Sequence, residues 1–211
     1  MKIIDISLPL NNNTPIYPEN VPFTVSIHRA MPEYATQLSS ITFGSHTGTH
    51  IDAPGHAIEG AFMIDKIPLQ NFIGSCRVLD FSDSLKYLGE AVTEPLLKNK
   101  NIKRGERILL KTRNSLRGFK EFYDDYVYLD GDAADYLANL AVTLVGIDAL
   151  SIKKRRGSDH RPHVSLLAKN IPIIEGLNLA SVSEGEYELI VLPLNLTGME
   201  GAPARAVLIE K

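Results

Sequence analysis

The stretch His46-Thr-Gly-Thr-His50-Ile-Asp52-Ala-Pro-Gly-His56 constrains this chain more than any other. Three of the six histidines of a 211-residue chain fall inside it, where even placement would give about 0.3. In an extended segment alternate side chains share a face, so His46, His50 and Asp52 are expected to point the same way from one strand. A helix would also bring residues four apart together. The glycines Gly44 and Gly48, the β-branched Thr47, Thr49 and Ile51, and Pro54 soon afterwards argue against it. Imidazoles and a carboxylate converging beside a glycine-rich turn are costly to bury without a cation. A nitrogen and oxygen donor set of this kind suits a divalent metal.

The rest of the composition narrows the class. A length of 211 residues suits a single domain spanning 1–211, and 44% hydrophobic with 22% charged residues is ordinary for a soluble globular protein. The net charge of −3 gives no case for nucleic acid or an anionic membrane as partner. Met1 to Ser7 carries an acid at position 5 and no long apolar run, so neither a signal peptide nor a membrane span is expected there. The single Cys76 cannot form an internal disulfide and reads as buried filler, which fits a cytoplasmic protein.

Along the chain, Ile4, Ile6 and Leu8 alternate with polar residues as an opening strand. Further strands are expected at Phe23 to His28, Val78 to Phe81, Arg107 to Lys111, Val142 to Ile147, Tyr187 to Pro193 and Ala204 to Glu210. His28 is expected to face solvent or a neighbouring strand. Thr93 and Pro95 open a short helix over 93–99, and an aspartate cap opens another from Asp132 to Leu140. Arg113 lies just past the end of a strand, where it could touch a ligand or simply be solvated. Lys153-Lys-Arg-Arg156 reads as a solvated basic loop. Pro162 could open a helix carrying His163 on its first turn. Glu175 ends an apolar strand, an odd place for a carboxylate that serves packing alone. About nine strands with three or four short helices make an α/β domain.

The pattern H-x-G-T-H-x-D-x-P-x-H, carried here by His46, Gly48, Thr49, His50, Asp52, Pro54 and His56, resembles the signature of the cyclase family of metal-dependent hydrolases. That family includes bacterial kynurenine formamidase and isatin hydrolase. The resemblance runs from about residue 3 to residue 210. It implies a swivelling β/β/α arrangement, a central sheet curled toward a barrel with peripheral helices, and a homodimer or higher homo-oligomer. It also implies that His163, twelve residues before Glu175 in Ile171-Pro-Ile-Ile-Glu175-Gly176, joins Glu175 as a metal ligand. His160, without that separation, is expected at the mouth of the site. By the same resemblance His56 is the general acid/base. The family's T-P-x-W-P substrate loop has its counterpart in Thr14-Pro-Ile-Tyr17-Pro, with Tyr17 where the tryptophan stands.

The expected function is hydrolysis of a small amide C–N bond by water activated at a divalent ion, with an aryl formamide such as N-formylkynurenine as the leading substrate. His46, His50, Asp52, His163 and Glu175 are too many ligands for one tetrahedral catalytic zinc. They suit two ions sharing a carboxylate, or one higher-coordinate manganese, so Zn2+ and Mn2+ both stay open. The alternatives are an isatin-type lactam hydrolase and a non-catalytic metal or small-molecule binding protein. No G-x-S-x-G elbow is present to support a serine mechanism.

Overall fold

Short aliphatic runs broken by glycine, proline and asparagine give many short strands and few long helices. In the computed structural model, which describes residues 1–210, these are β1 (Ile3–Asp5), β2 (Thr24–Arg29), β3 (Leu38–Thr42), β4 (His50–Asp52), β5 (Ile73–Asp80) and β6 (Ala91–Val92). They continue with β7 (Arg107–Lys111), β8 (Tyr128–Leu129), β9 (Leu144–Ile147), β10 (Ile173–Glu175), β11 (Gly185–Pro193) and β12 (Gly201–Glu210). The surplus over the expected strands comes from short pieces such as β6 and β8, which pair with one another in a two-stranded sheet.

The main sheet runs β1-β12-β11-β5-β7-β9-β10-β4, and β4 pairs with β12 as well. Seven strands therefore close into a barrel, while β1 sits beyond β4 along the same edge of the long β12. Strands β5, β7, β9 and β10 are parallel neighbours; the others run antiparallel. Apolar alternation gives the closed sheet its two buried faces. Ile51, Val78, Leu109, Leu144, Ile174 and Leu189 share one buried cluster inside the barrel. Their alternates Leu79, Ile108, Leu110, Val145, Ile147 and Ile173 join the outer cluster under the helices. Each such fully buried side chain contributes about 1.5–3 kcal/mol. A one-residue slip in any strand would exchange the two sets.

The helices are α1 (Glu94–Lys98), α2 (Arg113–Arg117), α3 (Gly131–Leu140) and α4 (Arg161–Leu167). Asp130 caps α3 by accepting the Ala133 N–H at 2.7 Å. Thr93 precedes α1 but makes no side-chain cap bond; Pro95, in the first turn, removes one of the amide donors such a cap would serve. Helix α4 opens with Pro162 in its first turn and is tied to α3. Arg161 Nη1 lies 2.7 Å from Asp132 and 3.0 Å from Asp135, and Ser165 Oγ donates to Asp135 at 2.5 Å.

One expectation is corrected here. His46 does not lie on a strand with His50 and Asp52: β4 begins at His50, and His46 sits in the preceding turn. The reason is Gly48, whose φ of +63° turns the backbone out of the extended run. A Cβ at that position would come 2.4 Å from Leu10 Cδ2.

Candidate metal centre and active site

Strand β4 is the strip that closes the barrel, and its register places the polar residues of the motif. Ile51 pairs with Ile174 on the inward face, so His50 and Asp52 point outward, toward the layer containing α4. Glu175 stands directly opposite His50. The other residues of the motif hold this geometry. Thr49 Oγ1 donates to the Gly176 carbonyl at 2.6 Å and accepts the Leu8 N–H at 2.8 Å. Gly176 has φ +70°, and a Cβ there would meet the Gly48 oxygen at 2.4 Å, so the two turns cross only because both residues lack side chains. The Ile152 N–H reaches back to Glu175 Oε1 at 2.6 Å.

Five side chains from four segments then meet. His46 Nδ1 lies 2.7 Å from Asp52 Oδ1. His50 Nε2 lies 3.4 Å from both Asp52 Oδ1 and Glu175 Oε2. His163, delivered by the first turn of α4, has Nε2 at 3.2 Å from Glu175 Oε1 and 3.6 Å from Asp52 Oδ2. His50 Nδ1 lies 2.9 Å from the Gly48 carbonyl, so the neutral ring carries its proton there and turns the Nε2 lone pair toward the carboxylates. The buried Nε2 atoms of His46 and His50 and both oxygens of Asp52 have no hydrogen-bond partner among the described residues. Lone pairs facing lone pairs in a buried site are what a bound cation resolves. Two donor triads, His50-Asp52-Glu175 and His46-Asp52-His56, each gather within 4.8 Å and share Asp52. The residues present therefore fit a divalent ion, with Asp52 able to bridge two.

The electrostatics agree with a cation site. Burial disfavours charge on His50, yet the Asp52 and Glu175 carboxylates push its pKa up to about 10. Burial likewise works against charging His163, and the same two acids raise it. Burial would raise Asp52 and Glu175, but the surrounding imidazoles hold both below the ordinary carboxylate value. In the absence of metal, protons take the place of the cation. His56, on the one-turn 3-10 helix Pro54–His56, completes the second donor triad but differs from the others in its exposure. It is open to a cavity on one side and packed against protein on the other, its ring centroid 4.2 Å from that of His46 and 5.4 Å from that of His163. Desolvation on the packed side holds its pKa below the usual histidine value.

A cavity of about 490 Å³ adjoins these groups, bordered by His46, His56, His163 and Glu175 together with Tyr17, Asn20, Lys153 and His160. Tyr17 packs edge-on against Phe122 at 5.2 Å, and the Arg155 guanidinium lies 4.9 Å from its ring. Tyr17 is thus both packed on protein and available to a ligand. Arg113 does not border the cavity; its Nε donates to the Ser82 carbonyl. His28 is exposed on β2, and Cys76 is buried in β5. Sequence reasoning passed over Glu200, whose Oε1 lies 3.4 Å from His46 Nε2 and accepts Ser45 Oγ at 2.5 Å. An acid between Gly198 and Gly201, just before the strand that closes the barrel, was the available signal. It also passed over Lys153, discounted as part of a solvated basic run.

Comparison with known proteins gives consistent relations. A family model described as "Putative cyclase" matches residues 4–154. A protein named kynurenine formamidase from Bacillus cereus is 36% identical over 207 residues, covering 97% of this chain and 96% of that one. A solved structure titled as a predicted metal-dependent hydrolase from Bacillus stearothermophilus superposes with a TM-score of 0.85 at 34% identity, covering 98% and 97% of the two chains. Isatin hydrolase A from Labrenzia aggregata shares the fold, with a TM-score of 0.86 at 20% identity over 100% of this chain and 94% of that one.

Proposed function

The chain belongs to the cyclase family, and from that premise we propose a metal-dependent amidohydrolase that cleaves an aryl formamide of the N-formylkynurenine type. One observation supports it most: the unpartnered Nε2 of His50 lies 3.4 Å from the unpartnered Asp52 carboxylate, buried beside an open cavity that His46, His163 and Glu175 border. In this reading His46, His50, Asp52, His163 and Glu175 hold the ion, residues 1–211 act as one hydrolase domain, and the metal is Zn2+ or Mn2+, since nitrogen and oxygen donors without thiolate serve either.

When bound, the divalent ion supplies Lewis acidity, polarising the amide carbonyl and acidifying water. The protein does the rest. The lowered pKa leaves His56 unprotonated at neutral pH, so a ring nitrogen can take the proton from attacking water and return it to the leaving nitrogen. The Gly48 carbonyl at His50 Nδ1 fixes the orientation of that ring, and the Glu200 carboxylate lies 3.4 Å from His46 Nε2. Tyr17 offers its ring to the aryl group.

A cytoplasmic homodimer completes the proposal. No helix among the described residues is long and apolar enough to cross a membrane. The β2–β3 hairpin leaves Val25, Ile27, Leu38 and Ile41 exposed; a two-stranded ribbon is marginal alone, and a second copy would cover it.

The test pairs two variants with a substrate panel of N-formylkynurenine, formanilide and isatin. Asp52→Ala should lose both metal and activity. His56→Ala should keep its metal while kcat falls roughly 10²–10⁴-fold, the scale of a positioned proton-transfer group. A metal-free His56→Ala would make that histidine a ligand instead. Preferential opening of isatin would move the assignment to a lactam hydrolase, for which Tyr17 in place of tryptophan is the favouring feature.

A further inference from the structure

The four consecutive basic residues 153–156 do not share one environment. Lys154 lies over the Tyr128 ring, with Nζ 5.6 Å from its centroid. Arg155 pairs with Asp124 at 3.5 Å and packs on Tyr17 and Phe122. Arg156 reaches Asp124 at 4.0 Å. Lys153 differs from all three. It is half-buried, it borders the cavity, and no acid lies within ion-pair distance of its ammonium among the described residues. Its one protein acceptor is the Gly157 carbonyl, 2.7 Å from Nζ. An ammonium has three N–H donors, so two remain while the chain is held in place at the cavity wall.

Charge balance gives this placement its meaning. Asp52 and Glu175 would neutralise one divalent ion beside the cavity, and Glu200 lies outside the cavity lining. Lys153 then adds to the cavity lining a positive charge that forms no ion pair with Glu175, the lining's carboxylate. Asn20, Ser151 and His160 beside it add polar groups, whereas Ala57, Val164 and the Tyr17 ring supply apolar surface between. The lining thus suits a ligand that combines a scissile carbonyl, an aromatic body and an anionic group.

We propose that Lys153 is a specificity-determining residue, receiving a carboxylate carried by the substrate distal to the amide that is cleaved. This rests on the amidohydrolase reading and adds the residue that discriminates among aryl amides. A charge-assisted hydrogen bond inside a partly closed cavity favours the acid over its neutral ester by about tenfold or more. Because the contact is the same before and during reaction, the effect belongs in KM rather than kcat.

The experiment uses the metal-loaded protein with an ortho-formamido aryl ketone whose side chain ends in a carboxylate, and with the methyl ester of the same molecule. The wild type should turn over the acid with the lower KM. Lys153→Met, which keeps the length of the side chain, should remove that margin by raising KM for the acid alone, and Lys153→Arg should restore most of it. A wild type that treats acid and ester alike would overturn the proposal, as would a Lys153→Met protein that keeps the margin or loses both substrates equally. Should neither compound be hydrolysed, the amidohydrolase reading fails separately. Calorimetric titration with the deformylated acid and ester then measures the same preference and decides the proposal on the same terms.

Discussion

Gly201→Ala tests the geometry of the site without touching a candidate ligand. Gly201 opens β12 directly opposite Asp52. A Cβ there would lie 2.9 Å from His46 Cε1, 3.2 Å from His46 Nε2 and 2.9 Å from the Ile51 carbonyl oxygen. Carbon contacts settle at about 3.5–4.0 Å, so the imidazole must retreat by roughly 0.6–1 Å or β12 must lift from β4. The ring has little room, with Asp52 at its Nδ1, Glu200 near its Nε2 and the His56 ring alongside. Overpacking of this kind costs about 1–3 kcal/mol, which lowers Tm by about 2–12 °C in a chain of this size. A displacement near 1 Å in a catalytic constellation costs on the order of 10²-fold in rate, and metal affinity should fall about 10- to 100-fold. Gly198→Ala is the control. It lies in the same turn at φ +74° with open space around it, so it carries only left-handed strain of about 1–2 kcal/mol. The two variants should lose similar stability but differ sharply in metal affinity, read by competition with a chromophoric chelator, and in kcat/KM. Wild-type metal affinity and turnover in Gly201→Ala, or equal losses in Gly198→Ala, would refute the assignment of His46 to the site.

Stripping the metal with a chelator should abolish turnover and lower Tm, both recovering with Zn2+ or Mn2+; full activity at verified zero metal would reject the metal requirement. The metal-free protein should also respond to pH in a definite direction. His50, raised from 6.5 to about 10, stabilises the fold while protonated, so its contribution is complete below about 6.5 and is lost as pH rises toward about 10. Thermal melts across that window should therefore diverge, with the metal-free form weakening at alkaline pH and the loaded form holding; parallel curves would contradict it. Tyr17→Ala should raise KM for aryl substrates more than it lowers kcat, and an unchanged KM for every substrate would leave Tyr17 as packing against Phe122.

Local chemistry made much of this protein legible in its sequence. The motif holding His50, Asp52 and His56 announces itself by composition and spacing. Glu175 stands out because a carboxylate at the end of Ile171-Pro-Ile-Ile has no packing reason to be there, and Pro162 marks the start of the helix that carries His163. Strand positions followed from aliphatic runs because each needs only its own residues to form. What needed the tertiary structure was everything set by pairing between distant segments. Period-two alternation put His46 on the strand of His50, but the left-handed Gly48, required where Leu10 and Gly176 crowd the turn, swings it into the loop. Barrel closure depends on β12 pairing with β4, two segments about 150 residues apart in sequence, and no local pattern encodes that register. The same closure brings Glu200 to His46. Lys153 to Arg156 form a uniform basic run in sequence, and only the positions of Asp124, Tyr17, Tyr128 and the cavity distinguish one lysine from its neighbours. A residue's chemistry is written locally, whereas its partners are chosen by how the chain returns on itself.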